Sequence, residues 1–204
     1  MRLQKYILNE EYKHMDDIDI AKMIKKDCKP YISILRKTYG MLYRGTLKNV
    51  PSDAEGSSDV YYFKKKPRMD RKPVDMPELT HQTLDKLFYE KFGWKARSEG
   101  VFVTGDRGTA AGYGKSFLFF PIGDFKYVWS PKVPDLWTWI RSHLSQRKDM
   151  SERPDLPGIV DTYTNKNLQK CIELEYEVAI KCKEYYMVYI SFREDGQEFR
   201  NLLI

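Results

Sequence analysis

The chain has 204 residues, 42% of them hydrophobic and 14% aromatic, with a formal net charge of +6. That length and composition suit one core-forming domain and exclude a disordered or low-complexity chain. The basic balance points to an anionic partner and leaves three open: nucleic acid, a phosphate-bearing cofactor or an acidic protein.

Residues 1–40 read as a helical N-terminal part. Asp16 and Asp17 can cap a helix that carries Ile20, Met23 and Ile24 on one face; Pro30 breaks it, and Tyr31, Ile34 and Leu35 start a second, shorter piece. Met41-Leu42-Tyr43 reads as a buried strand with Arg44-Gly45-Thr46 as its polar exit. Residues 48–60 are loop-like, and Lys64 to Pro73 sets six Lys/Arg against Asp70, a solvated loop or a phosphate-contacting one. Leu84, Leu87, Phe88 and Phe92 recur at helical spacing and predict a helix over 80–92 that stops near Gly93.

Val101-Phe102-Val103 is strand-like and opens a Gly-rich stretch to Gly114. The apolar runs Phe117–Ile122 and Phe125–Trp129, separated by Gly123-Asp124, predict a hairpin. Pro134 and Asp135 open a helix with Leu136, Trp137, Ile140 and Leu144, and 147–162 reads as a surface loop. A short helix over 166–171 leads into a strand headed by Glu173, Glu175 and Glu177, and Tyr185–Phe192 is the last strand. The expected fold is a single α+β domain over 1–204 with a mostly antiparallel sheet and its core in 41–192.

Several sites are excluded. Gly108 to Ser116 nearly matches a phosphate-binding loop, but it has one residue too many before Gly114-Lys115-Ser116, and a strand-like run broken by Pro121 follows where a helix is required. His14, His81 and His143 lack zinc spacing, so no metal is expected, and His81 reads as a surface residue near a helix start. Cys28, Cys171 and Cys182 read as free thiols of a reducing cytoplasm. No segment approaches a membrane span, and Met1 to Lys5 leads into no apolar signal core, so a monomeric cytoplasmic protein without membrane association is expected.

The acidic row is the most informative feature. On a two-residue period Glu173, Glu175 and Glu177 share one side of a strand, where like charges repel and a solvated edge is the plain alternative. The chain also offers, in order, Leu42-Tyr43-Arg44-Gly45-Thr46, Gly100-Val101-Phe102-Val103-Thr104, Ala110-Ala111-Gly112-Tyr113-Gly114 and Glu175-Tyr176-Glu177-Val178-Ala179-Ile180. This order resembles the ADP-ribosyltransferase superfamily over roughly residues 40–190. It departs from the arginine-directed branch in having Phe-Val-Thr-Gly where Ser-Thr-Ser is usual.

The resemblance implies a split, mostly antiparallel β-core flanked by helices and NAD as co-substrate. It implies Arg44 on the phosphate or ribose oxygens, Gly45 letting the backbone approach the nicotinamide amide, Thr104 in the second-strand segment and Tyr113 stacking on the nicotinamide. Glu177 would be the catalytic acid and Glu175 the acid that positions or deprotonates the nucleophile, with Glu173 a bystander. The acceptor would be macromolecular, a protein arginine or a nucleic acid, and such enzymes are phage- or toxin-like. The alternatives are a non-catalytic nucleic-acid-binding module and an NAD glycohydrolase.

Overall fold

The computed structural model describes residues 13–47, 60–69, 73, 76–146, 154–189 and 197–204. In chain order these form β1 (Lys13–Met15), α1 (Asp17–Asp27), α2 (Lys29–Leu35), β2 (Tyr43–Thr46), β3 (Val60–Lys65), α3 (Glu78–Phe92), α4 (Ala96–Glu99), β4 (Val101–Thr104) and α5 (Arg107–Ala111). There follow β5 (Lys115–Ile122), β6 (Lys126–Trp129), α6 (Leu136–Gln146), α7 (Leu156–Asp161), α8 (Leu168–Glu173), β7 (Glu177–Lys181), β8 (Glu184–Tyr189) and α9 (Gln197–Leu203). The fold is α+β: an eight-stranded antiparallel sheet of order β1-β3-β8-β5-β2-β4-β7-β6, flanked by helices. No helix among the described residues is long and apolar enough to cross a membrane.

Local signals set many of the elements. Asp16 caps α1 by accepting the Ile18 N–H at 2.9 Å, and Ile20 and Ile24 of that helix are buried. Gly93 ends α3 in the left-handed region at φ +73°, where a residue without Cβ is cheapest. Pro30 opens the second helix at its first turn instead of merely breaking the first.

Other expectations are corrected. Phe117–Ile122 and Phe125–Trp129 are strands but not a hairpin: β5 pairs with β2 and β8, while β6 pairs with β7. The N-terminal part contributes β1, which borders β3, and the supposed loops hold β3 and the helices α5 and α7. Lys64 and Lys65 of the basic run therefore belong to a strand, and Lys64 pairs with Glu184 at 2.6 Å. Residues 48–59, 70–72, 147–153 and 190–192 of the expected loops and last strand lie outside the described residues.

The sheet consists of two halves. β1-β3-β8-β5-β2 and β4-β7-β6 meet through one aligned pair, Tyr43 with Thr104. The link from β7 to β8 is Cys182-Lys183, so Lys181 and Glu184 lie at most about 11 Å apart. Four strand steps separate β7 from β8 in the sheet order, about 19 Å if it were flat. The halves must therefore fold toward each other. Two cores result: one, with α1, α2, α8 and α9, takes side chains of both halves, among them Phe117, Val188, Val103, Val178 and Ile180, and in the other Leu84, Phe88, Trp94, Ile140 and Val160 pack on Val128 and Ala179 on the opposite face of the three-stranded half.

Arg200 of α9 is buried and donates to the carbonyls of Leu35, at 3.0 Å, and of Thr38, at the end of α2. Removing a charged donor strands both acceptors, so Arg200→Leu is expected to destabilise the fold by about 3 kcal/mol. Urea unfolding checks this, and a loss under about 0.5 kcal/mol would show that water replaces the guanidinium.

Candidate active site

The narrow join between the half-sheets opens a cavity of about 390 Å³, within the range that holds small-molecule ligands. Arg44, Gly45, Thr104, Tyr113, Glu175 and Glu177 all line it. These six residues, singled out in the sequence, come from β2, the end of β4, the turn after α5, and the turn into β7. Register explains the convergence. Thr104 lies opposite both Tyr43 and Glu177, so a row across β2, β4 and β7 spans about 10 Å.

Beyond Tyr43 and Thr104 the strands β2 and β4 part, and Arg44 bridges the gap. Its Nη1 donates to the Phe102 carbonyl at 2.7 Å, satisfying an acceptor that a continued ladder would have used. Burial pushes the Arg44 pKa down; the neighbouring Tyr185 opposes this, and the Arg68 charge adds to it. Arg97, which no sequence pattern singles out, lies over the Phe102 ring at 4.3 Å and also lines the cavity. No carboxylate pairs with Arg44 or Arg97 among the described residues. Two guanidinium groups without such pairs, on a wall of the cavity that Asp135, Glu175 and Glu177 also line, are candidate donors for an anionic ligand group.

Glu177 opens β7, and its backbone is held by an N–H···O bond of 2.8 Å to Pro134. Its Oε1 accepts the Leu136 N–H at 3.4 Å, at the start of α6, while Asp135 accepts from Thr138 at 2.6 Å. The carboxylate thus sits at the positive end of an 11-residue helix, which favours its ionised form. Its charge, secondary to burial, pushes up the pKa values of Tyr163 and Cys171. Cys171 is therefore a neutral thiol, donating weakly to the Tyr176 carbonyl at 3.6 Å, and not a nucleophile.

The acidic row does not exist as a row. Glu173 ends α8, Glu175 lies in a turn, and only Glu177 belongs to the strand. The shared face expected from a two-residue period is overturned because α8 extends through Glu173. Glu175 is left-handed at φ +60°, a conformation where Gly or Asn costs less. Three contacts hold it there. Its N–H donates to Ile172 O at 3.1 Å, its carbonyl accepts the Thr104 hydroxyl at 2.9 Å, and Gly105 leaves the room, since a Cβ would stand 2.8 Å from the Glu175 Cα. Thr104 also accepts the Asp106 N–H at 3.1 Å, so it positions both the Glu175 turn and the start of α5. A carboxylate in this strained conformation on a cavity rim makes Glu175 a candidate functional residue.

Gly45 has a packing reason as well. A Cβ there would collide with the Ala110 carbonyl and come within 2.8 Å of the Tyr113 Cβ. The missing side chain admits α5. Tyr113, 58% exposed, is on the rim and is no core aromatic.

His81 is 5% exposed and lines the cavity, so its assignment to the surface is corrected. Its Nε2 lies 3.0 Å from Ser98 Oγ and 3.4 Å from Asp85 Oδ2. Asp85, itself buried, accepts the Ser98 hydroxyl and the backbone N–H groups of Arg97, at 2.8 Å, and Ser98, at 3.2 Å. With serine and aspartate on the same ring nitrogen, this is no nucleophilic relay. It ties α3 to α4 and so aims Arg97. A helical period placing His81, Leu84, Asp85 and Phe88 on one face could have flagged His81 and Asp85 as buried. Among the described residues no three His, Cys, Asp or Glu gather as a metal site.

The rejected phosphate loop adopts a short helix, α5, capped by Asp106 through the Gly108 and Thr109 N–H groups, and Lys115 then begins a strand. No family model matches this chain, and no significant match to it is found among curated proteins or solved structures.

Proposed function

We propose that the protein is an NAD-dependent ADP-ribosyltransferase that passes ADP-ribose from NAD to a macromolecular acceptor and releases nicotinamide. The observation that carries this reading is the convergence of Arg44, Gly45, Thr104, Tyr113, Glu175 and Glu177 on one cavity. The narrow join at Tyr43 and Thr104 suits the split core that the family resemblance implies.

The chemistry asks for what this wall supplies. When the nicotinamide–ribose bond breaks, its electron pair leaves with the pyridine nitrogen and positive charge develops at the ribose carbon. A fixed, ionised carboxylate beside that carbon lowers the barrier electrostatically, and Glu177 on the α6 terminus is such a group. Arg44 and Arg97 offer donors for the diphosphate, and the exposed face of Tyr113 suits a planar ring. Glu175, exposed on the rim, is placed to take the proton of the incoming nucleophile. Such an enzyme would work in the cytoplasm as a monomer and be of the phage-borne or intracellular-toxin kind.

The test is incubation with labelled NAD and a cell lysate, followed by protease or nuclease. Label should enter macromolecules, and nicotinamide should appear with it. Neither occurring would sink the enzyme reading; nicotinamide without label would make water the acceptor. Glu175→Gln is expected to lower transfer about 10²-fold while lowering hydrolysis of NAD by less than about tenfold. Equal losses in both reactions would remove Glu175 from the acceptor side.

A further inference from the structure

We propose that the groove beside the Cys182-Lys183 crossover docks a single-stranded nucleic acid, and that this strand is the acceptor; the acceptor role rests on the transferase reading above. The groove encloses about 890 Å³, and Lys66, Lys126, Lys183, Phe125 and Met69 line it. The three lysines are exposed, and none forms an ion pair among the described residues. The two other charged pairs there are internally balanced: Glu184 is bound by Lys64 at 2.6 Å, and Lys181 is bound by Glu99. Asp124 is the remaining acid of the lining. Lys126 lies directly opposite Lys181 across β6 and β7; Glu99 neutralises Lys181 and leaves Lys126 for an incoming anion.

Charge alone would suit any polyanion. The apolar lining narrows the class, since the 57%-exposed Met69 and the half-buried Phe125, which packs on Tyr31 and Tyr127, lie among the lysines. Cations that track a backbone beside apolar and aromatic surface that receives bases are the makings of a single-strand site. Acidic side chains by themselves offer no flat face for that apolar surface.

The groove lies near the catalytic cavity. Glu177 and Lys181 are four residues, about 13 Å, apart along β7, but Ala179 between them is buried beneath the helices, so the connection is made by the segment after β3. The segment that supplies Lys66 and Met69 to the groove supplies Pro73 and Met76 to the cavity, and Arg68 between them stands within electrostatic reach of Arg44. A strand seated on the lysines would thus be carried toward Glu175.

Binding is measured by fluorescence anisotropy with a labelled RNA of about 12 nucleotides, using full-length Glu177→Gln protein so that no turnover intervenes. Adding Lys66→Gln, Lys126→Gln and Lys183→Gln together should weaken binding at least about tenfold and reduce the slope of log affinity against log salt by about 2. No binding, or binding unchanged by the three substitutions, would overturn the docking site. Displacement of the RNA by polyglutamate at equal charge would reassign the groove to acidic protein. With labelled NAD, wild-type protein should label this RNA; label on protein alone would overturn the acceptor role. RNA bound with no nicotinamide released would instead reject the transferase reading and leave the docking site standing.

Discussion

Glu177→Gln is expected to reduce nicotinamide release by at least about 10³-fold. The substitution keeps a side-chain oxygen that can accept the Leu136 N–H, so the start of α6 retains its partner. It also keeps the backbone bond to Pro134 and the pairing with Thr104. What it removes is the negative charge, which contributes about 0.5 kcal/mol to stability at the α6 terminus, or about 1–2 °C in melting temperature. The activity loss is much larger because the charge opposes an oxocarbenium ion that forms only in the transition state, in a site where water screens it little. Nicotinamide release and calorimetry on the same preparation separate the two effects. Retained turnover would show that the catalytic acid lies elsewhere, with Glu175 the next candidate. A collapse in melting temperature would show that Glu177 serves the α6 cap first.

The grouping of the candidate residues was more legible in the sequence than the strand pairing. Arg44-Gly45, Thr104, Tyr113 and the two later glutamates could be chosen because their order carries information that no single motif does, and they line one cavity. The fold errors share a physical cause. Gly123-Asp124 has hairpin chemistry, and Gly123 does take φ +67°, but strand pairing is decided by distant partners: β5 is claimed by β2 and β8. The acidic row failed for a related reason. Alternation predicts a shared face only if the residues are extended, and the apolar spacing of Leu168, Cys171 and Ile172 holds the chain helical up to Glu173. Arg97 could not be found at all from sequence. Its significance depends on lying over Phe102, whose carbonyl takes Arg44, and that is a consequence of the half-sheets parting.

Gly45→Ala is expected to lower the melting temperature by about 6–12 °C and to remove most of the activity. The position is packed, not open. A methyl group would drive into the Ala110 carbonyl and stand 2.8 Å from the Tyr113 Cβ, and neither α5 nor the β2–β5 ladder can yield alone. Overpacking of this kind costs up to about 3 kcal/mol, at about 2–4 °C each in a protein of this size. Relief comes only by displacing α5, and α5 with its following turn carries Thr109, Ala110 and Tyr113 on the cavity wall. Stability and activity should therefore fall together. Gly112→Ala is the control, because that residue has φ −60° and its Cβ would meet only Thr109 O, at 3.3 Å. It should change the melting temperature by less than about 3 °C. The comparison also separates two reasons for a glycine after Arg44. If the backbone of Gly45 serves mainly to let nicotinamide approach, the alanine variant would melt like the wild type and show a raised KM for NAD. The contact with Ala110 argues for the other outcome, in which the glycine seats α5 against β2 and the cavity exists because that helix can come so near.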